Sequence, residues 1–381
     1  MELLPEYAGQ FARKDCHTAP SVLWSEYKKY LAGEIQSEDM QHFDIRGGWH
    51  DAGDYGRYST AAAVALAHIL YAYRFFPDTF DKNLNIPESG NGMPDILSEC
   101  LYELKWLLQM QDEEGGVYHK QCTLRHANFV MPHEDTNQMI LYPVSSMAVA
   151  DFAAIMALAS RIYYPYDHDF ATQALQAALK SYDWLQAHPE FIGFTNPEET
   201  NTGEYDDTSD LDERLWAAME LYRTTGEKHY LTDAKTLFDT LDITTEFGWG
   251  DVSGFAGWAL LEQELMPETC HSEPDYTNAL EADFAKVYRH EFLTEANRIL
   301  DIIRKSGYFV DLSPHEFCWG SNMVVLNRAM LLSTAYVLDN QKEYEDAAFC
   351  ICQVAEWERK YKEGEKVLDE FSDARDFEAD I

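Results

Sequence analysis

The sequence predicts an all-α protein built as a toroid of paired helices. Three observations predict it. Apolar residues recur with the 3.6-residue period of amphipathic helices along most of the chain. Strict apolar–polar alternation, the mark of a half-buried strand, is nearly absent. The helical segments also come in twos, each pair closed off by Gly or Pro.

In chain order, helices are predicted near 21–32 and 59–76, the second opened by Ser59-Thr60 as its N-cap. Pro87 to Pro94 breaks the chain, and a third helix runs near 94–110. Gly115-Gly116, Pro132 and Pro143 keep the next segment irregular. The pair 144–163 and 168–187 follows, stopped by Pro189 to Pro197. Helices near 210–225 and 230–240 precede the breaker Gly248 to Gly254, and 252–264 ends before Pro267. Then come 276–305, the breaker Pro314, 322–338 and 343–361.

Eleven helices make five pairs and an orphan, whereas a six-hairpin α/α toroid has twelve. Residues 1–381 therefore read as one toroid domain with its last helix missing and 351–381 as a charged tail. Such a gap exposes an apolar stripe of roughly a few hundred Å², which invites self-association. The loops 33–58, 111–143 and 188–209 carry most of the Gly, His, Trp and acidic residues, so function is expected there.

Lys and Arg number 29 against 67 Asp and Glu, a formal charge of −38. That surface repels nucleic acid and anionic membranes and suits a neutral ligand. No run of eighteen apolar residues exists, so no membrane-spanning helix is expected. The opening residues do not read as a signal peptide. Seven dispersed cysteines do not form a disulfide framework.

The stretch GGWHDAGDYGRY, residues 47–58, holds the sharpest chemistry. Asp51 and Asp54 are spaced to face the same side of a turn, and Gly53 and Gly56 permit a tight path. A helix N-terminus just beyond favours ionised carboxylates, as a general base requires. Trp49, Tyr55 and Tyr58 offer flat faces of the kind that stack on sugar rings. A calcium EF-hand does not fit, because Gly53, Tyr55 and Ala62 fall where ligands belong. Residues 204–213 hold six acids in ten, which repel unless a helix N-terminus or an oxygen-loving cation relieves them.

These motifs together resemble glycoside hydrolase family 9, the inverting β-1,4-glucanases. DAGD at 51–54, Cys16-His17-Thr18, Gly92-Met93-Pro94-Asp95 with Trp106 to Gln111, Asp212-Glu213 with Trp216-Ala217-Ala218 and Glu220-Leu221-Tyr222, and Trp319-Gly320-Ser321-Asn322 follow the family's order over roughly residues 1–350. The resemblance implies hydrolysis of β-1,4-glucan or cello-oligosaccharides by a secreted enzyme. It implies Asp54 as the base that activates water and Asp51 as its partner. Trp319 matches a cleft tryptophan, and Tyr205, His126 and Phe129 are candidate substrate contacts by loop position.

The resemblance also implies two cations. Cys16, His17 and His50 match three ligands of a structural zinc site, whose fourth would fall just before Met1. Thr208, Ser209, Asp212, Glu213 and Asp251 match a calcium site. The family's tail motifs, which carry its catalytic acid, are not visible after Phe349. Glu356, Glu358, Glu363, Glu365 and Glu370 read as a solvated face, so no acid is assigned. A carbohydrate-binding remnant with weak or no turnover is the alternative reading. A toroidal sugar epimerase or lyase, expected to use catalytic histidines, ranks below both.

Overall fold

The structure, a computed structural model, describes residues 2–80, 82–266, 278–306, 309–317 and 320–362. Contacts divide the chain into two compact units, Met1–Glu281 and Ala282–Ile381.

The first unit is dominated by helices: α1 (Pro5–Ala8, a single turn), α2 (Trp24–Leu31), α3 (Ser59–Phe75), α4 (Asp95–Gln109), α5 (Ser146–Tyr163), α6 (His168–Ala187), α7 (Leu211–Thr225), α8 (Lys228–Phe238) and α9 (Ser253–Leu265). Local chemistry sets their ends. Ser145 caps α5 by accepting from the Ala148 amide, and Asp167 caps α6 through the Phe170 amide. Gly226 stops α7 in the left-handed region at φ 72°, its amide returning to the Tyr222 carbonyl.

Two layers emerge from which faces are buried. Helices α5, α7 and α9 are buried almost all round, whereas α8 buries only Tyr230, Leu231 and Ala234. Helix α5 packs against α3, α6 and α7, and α7 against α8 and α9. Alanines at 148, 150, 153, 154, 157 and 159 keep α5 slim enough for neighbours on every side. By length and composition α5 could cross a membrane, but 94% of it is buried inside the protein, as a core helix would be. Part of the charge in this core is held in a network. Arg161 bonds Glu220 at 2.7 Å and Glu262 at 3.2 Å, and Arg74 reaches Glu262 at 2.5 Å. Trp216 Nε1 also donates to Glu220 at 3.0 Å, so the family-like motif around Glu220 serves the core.

The all-α expectation needs one correction. Five short strands form a sheet in the order β2-β1-β5-β4-β3: β1 (Ser21–Leu23), β2 (His42–Phe43), β3 (Arg57–Tyr58), β4 (Lys120–Cys122) and β5 (Ile140–Leu141). Val22 pairs with Ile140 in parallel, and Arg57 pairs with Gln121 antiparallel. Strands of two or three residues are too short to show alternation. The sheet stitches the loops before α3 and α5 together and fixes Tyr58 in a buried cluster with Val22, Trp24, Met40, Cys122, Ile140, Tyr142 and Phe194.

The second unit takes most of α10 (Ala279–Lys305) with α11 (Ser321–Asp339) and α12 (Lys342–Lys362). Asn340, left-handed at φ 54°, turns α11 into α12, and the two pack on each other. Buried Arg328 is held by the Asp311 carbonyl and the Glu316 carboxylate. The eleven predicted helices all form, with α1 added as a single turn.

Candidate active site

Residues 51–58 form a closed loop that delivers two carboxylates. The Asp51 amide donates to the Gly56 carbonyl at 3.0 Å, and the Gly56 amide donates to Asp54 Oδ2 at 3.0 Å. A Cβ on Gly56 would stand 2.5 Å from Tyr58 Oη and 2.7 Å from Asp54 Oδ2, so only glycine fits. Tyr58, fixed in β3, donates to Asp54 Oδ2 at 3.1 Å. Tyr205 donates to Asp51 Oδ2 at 2.6 Å. His126 Nδ1 lies 3.6 Å from Asp54 Oδ2.

The electrostatics keep these roles apart. Burial raises the Asp51 carboxyl, the Tyr205 hydrogen bond pulls it down, and the Asp54 charge raises it again. Burial pushes the Tyr58 and Tyr205 phenols well up, so both stay protonated donors. Asp54, the half-buried partner, therefore accepts from an amide and a phenol while its edge still meets solvent.

The expected N-cap does not form. Ser59 is the first residue of α3, and its hydroxyl donates to the Tyr118 carbonyl at 2.7 Å. The carboxylates are thus oriented by the turn and two phenols rather than by the end of α3.

The structure brings Tyr205 and His126 to the acids. Tyr205 adopts the left-handed φ of 51°, a strained choice for a bulky residue and one found at functional sites. Its ring packs on Tyr58 at 4.7 Å and on the edge of Trp249 at 5.2 Å. Phe129 is fully exposed, its loop tied to the acids' loop by Tyr55 donating to the Val130 carbonyl. Trp319 and the side chains of Glu356, Glu358, Glu363, Glu365 and Glu370 lie outside the described residues.

Sequence reasoning missed Trp249 and Lys120. Lys120 is fully buried and donates to Asn196 Oδ1 at 2.6 Å, Thr202 Oγ1 at 3.1 Å and the Gly203 carbonyl at 2.5 Å. The Tyr58, Tyr142 and Phe194 rings surround its ammonium. Burial pulls the ammonium down to about 8. Its signal was a lone lysine inside an otherwise buried strand.

Cys16, His17 and His50 converge, their ligand atoms all within 4.8 Å of one another. Cys16 Sγ stands 3.9 Å from His50 Nε2, near the roughly 3.5 Å expected across a tetrahedral zinc. Burial raises the Cys16 thiol, but hydrogen bonds from His17, His50 and Arg13 outweigh it and leave the thiol at about 4. His17 Nε2 lies 3.3 Å from Asp135 Oδ2, while its buried Nδ1 has no hydrogen-bond partner of good geometry among the described residues. A carboxylate orienting a histidine is what a zinc ligand shows. The residues fit zinc.

The acidic segment gathers at the start of α7. Asp212 Oδ2 accepts from the Val252 amide at 2.9 Å, which brings Asp251 alongside. Asp251 itself accepts from Thr244 Oγ1 and the Ser253 amide. Thr208 and Ser209 form the turn before the helix, where the Thr208 amide donates to Asp207 and the Leu211 amide to Ser209 Oγ. Glu213 is fully buried, and neither of its oxygens finds a donor among the described residues. Burial, then the Asp212 and Asp151 charges, push it well above the usual carboxylate range. An undonated buried acid among acids calls for a positive charge, but among the described residues the His, Cys, Asp and Glu ligand atoms that converge within 4.8 Å are those of Cys16, His17 and His50, so Asp212, Glu213 and Asp251 are near one another without being drawn together as ligands.

Residues 3–353 match glycosyl hydrolase family 9. The chain belongs to that family. It is 37% identical over 361 residues to a cellodextrinase of Butyrivibrio fibrisolvens, covering 90% of this chain and 61% of that protein. The fold matches a thermostable endoglucanase of Alicyclobacillus acidocaldarius with a TM-score of 0.78 and 32% identity, covering 93% of this chain and 62% of that one. A solved structure of AaCel9A in complex with cellobiose-like isofagomine matches with a TM-score of 0.78 and 31% identity, covering 92% of this chain and 62% of that one. The chain thus spans about three fifths of the length of these relatives.

Proposed function

We propose that this family 9 chain carries the base side of an inverting β-1,4-glucan hydrolase. Asp54 takes the proton from a water that attacks the anomeric carbon, and Asp51 holds the same water. The observation that carries this reading is the pair of carboxylates, each gripped by one tyrosine hydroxyl: Asp54 by Tyr58 and Asp51 by Tyr205. A carboxylate held in one orientation by phenols that stay protonated is poised to accept a proton from the open side. An inverting reaction also needs an acid some 6.5–9.5 Å from the base, and no residue of this chain is assigned that part. Tyr205, Trp249, His126 and the exposed Phe129 offer faces and a polar edge to a glucan chain, with Trp319 added by the motif resemblance.

The layered helices belong, in this reading, to a six-hairpin α/α toroid whose loop end forms the cleft. Calcium, held by Asp212, Glu213, Asp251 and the 208–209 turn, anchors the start of α7 and with it the segment that carries Tyr205. Zinc, held by Cys16, His17 and His50, fastens the N-terminal segment to the loop ahead of Asp51. Neither ion takes part in bond cleavage.

The test compares dinitrophenyl cellobioside, whose leaving group needs little protonation, with carboxymethylcellulose, in wild type and Asp54→Asn. Cleavage of the activated substrate that falls at least a hundredfold in Asp54→Asn supports the reading. Equal cleavage by both proteins sinks it. Cellobiose binding without any cleavage would favour the carbohydrate-binding alternative.

A further inference from the structure

We propose that His119 and Lys120 are positioning residues for the two acids: side by side at the start of β4, they hold the Gly203 and Glu204 carbonyls and so set the aim of the tyrosines that grip Asp54 and Asp51. The inference rests on the base reading above and deepens it.

Lys120 donates to the Gly203 carbonyl at 2.5 Å, and His119 Nε2 lies 2.8 Å from the next carbonyl, that of Glu204. Neighbouring side chains thus take neighbouring carbonyls. The other ring nitrogen fixes the state of the histidine. Ser145 Oγ accepts the Ala148 amide at 3.3 Å, which leaves its own hydrogen for His119 Nδ1 at 2.8 Å. Nε2 is then the nitrogen that carries the proton and donates to Glu204. Burial pulls the imidazole down to about 4, with the Glu204 carbonyl opposing and Lys120 assisting, so it stays a neutral donor. The His119 ring stacks on Phe194 at 4.1 Å, and the Lys120 ammonium lies 5.0 Å from the same ring.

The segment they hold is closed on itself. Asn196 donates from Nδ2 to the Thr202 carbonyl at 2.7 Å and from its amide to Glu204 Oε2 at 3.0 Å. Asn196 Oδ1 and Thr202 Oγ1 also accept from Lys120, so all three hydrogens of the buried ammonium go to this one loop.

Two contacts lead from the loop to the acids. The Gly203 amide donates to Tyr58 Oη at 3.1 Å, and Tyr58 donates to Asp54. Two residues on, Tyr205 donates to Asp51 at 2.6 Å. A Cβ on Gly203 would stand 2.9 Å from the Tyr205 ring and 3.2 Å from the Tyr58 ring, so both rings close on this residue. Tyr205 is left-handed at φ 51°, a conformation that persists only where its surroundings over-determine it. The two carbonyls just ahead of it are the ones held by Lys120 and His119.

The experiment measures dinitrophenyl cellobioside kinetics and amide hydrogen exchange across 196–205 in the full chain, for wild type, Lys120→Met, His119→Phe, Tyr58→Phe and the Lys120→Met/Tyr58→Phe double variant. Lys120→Met keeps the apolar stem and loses the donors. His119→Phe keeps the stack on Phe194 and loses the bond to Glu204. Lys120→Met is expected to lower kcat roughly 10–100-fold with KM within about threefold, and to speed exchange at the Gly203 and Tyr205 amides at least about tenfold. Because Lys120 reaches Asp54 through Tyr58, the double variant is expected to lose at least about threefold less than the product of the two single losses. A kcat within about threefold of wild type, a loss confined to KM, unchanged exchange at 203–205, or single losses that multiply in the double variant each overturn the proposal, while a crippled Asp54→Asn leaves the base reading standing. Equal cleavage by wild type and Asp54→Asn overturns both. Should Lys120→Met fail to fold, His119→Phe decides: faster exchange at Tyr205 with a lower kcat supports the proposal, and either one unchanged overturns it.

Discussion

Tyr58 accepts the amide hydrogen of Gly203 on its phenolic oxygen at 3.1 Å and donates its own hydrogen to Asp54 Oδ2 at 3.1 Å. One hydroxyl thereby joins the loop of the proposed base to a segment 145 residues away in sequence. Lys120 steadies the other side of the same residue by donating to the Gly203 carbonyl.

Tyr58→Phe keeps the ring, its packing on Tyr205 and the strand it sits in, but removes both hydrogen bonds. A hydrogen bond to a charged group is worth about 1.5–3 kcal/mol. Turnover of dinitrophenyl cellobioside is therefore expected to fall roughly 10–100-fold, with KM nearly unchanged. Steady-state kinetics check it. A loss in KM alone would mean that Tyr58 serves binding rather than the aim of Asp54.

Asp54→Asn keeps the shape and the acceptor for Tyr58 but cannot take a proton. Its turnover is expected to drop about 10²–10⁴-fold, with cello-oligosaccharide binding retained in calorimetry. Asp51→Asn is expected to cost a similar amount or less. A larger effect at Asp51 would reverse the two roles.

The acid pair was legible because its geometry is local. Asp51, Asp54 and Gly56 close a loop within six residues, and spacing alone conveys it. The helices were legible because burial on a repeating face writes itself into the period. What the sequence hid was non-local. Lys120 reads as a strand lysine until three acceptors and three rings close around it. Ser59 misled for the same reason: a serine opening a helix looks like a cap, but the sheet brings the Tyr118 carbonyl to its hydroxyl first.

Chelation is expected to destabilise the protein. An ion bound only by the native state at a hundredfold excess over Kd adds about 2.7 kcal/mol. Calorimetric scans with and without chelator should therefore differ by several degrees, and Asp212→Ala should abolish the difference. Superimposable scans for wild type would remove calcium from the reading.

Glu103 offers a test of pH dependence separate from calcium. It lies on α4, 1% exposed, and accepts the backbone amide of Trp49, just ahead of the proposed acids. Burial raises its carboxyl to about 8, opposed by the Trp49 amide and the Arg57 charge and assisted by Glu99. Arg57 is itself buried and donates to the Gly47 carbonyl at 2.5 Å, so its charge is shared with the loop. Because the folded value lies above the unfolded one near 4.5, the native state holds the proton more tightly between about pH 4.5 and 8. Stability from this group is thus highest below pH 4.5, falls as the pH rises through that window, and stays at its lowest above 8. Each pKa unit corresponds to about 1.4 kcal/mol, so the full span is on the order of 5 kcal/mol. Glu103→Gln still accepts from Trp49 but carries no charge at any pH. It should match wild type near pH 4.5 and melt higher at pH 9, measured by calorimetry in saturating calcium. Parallel melting curves for the two proteins from pH 5 to 9 would show that Glu103 is ionised throughout, its charge balanced by Arg57.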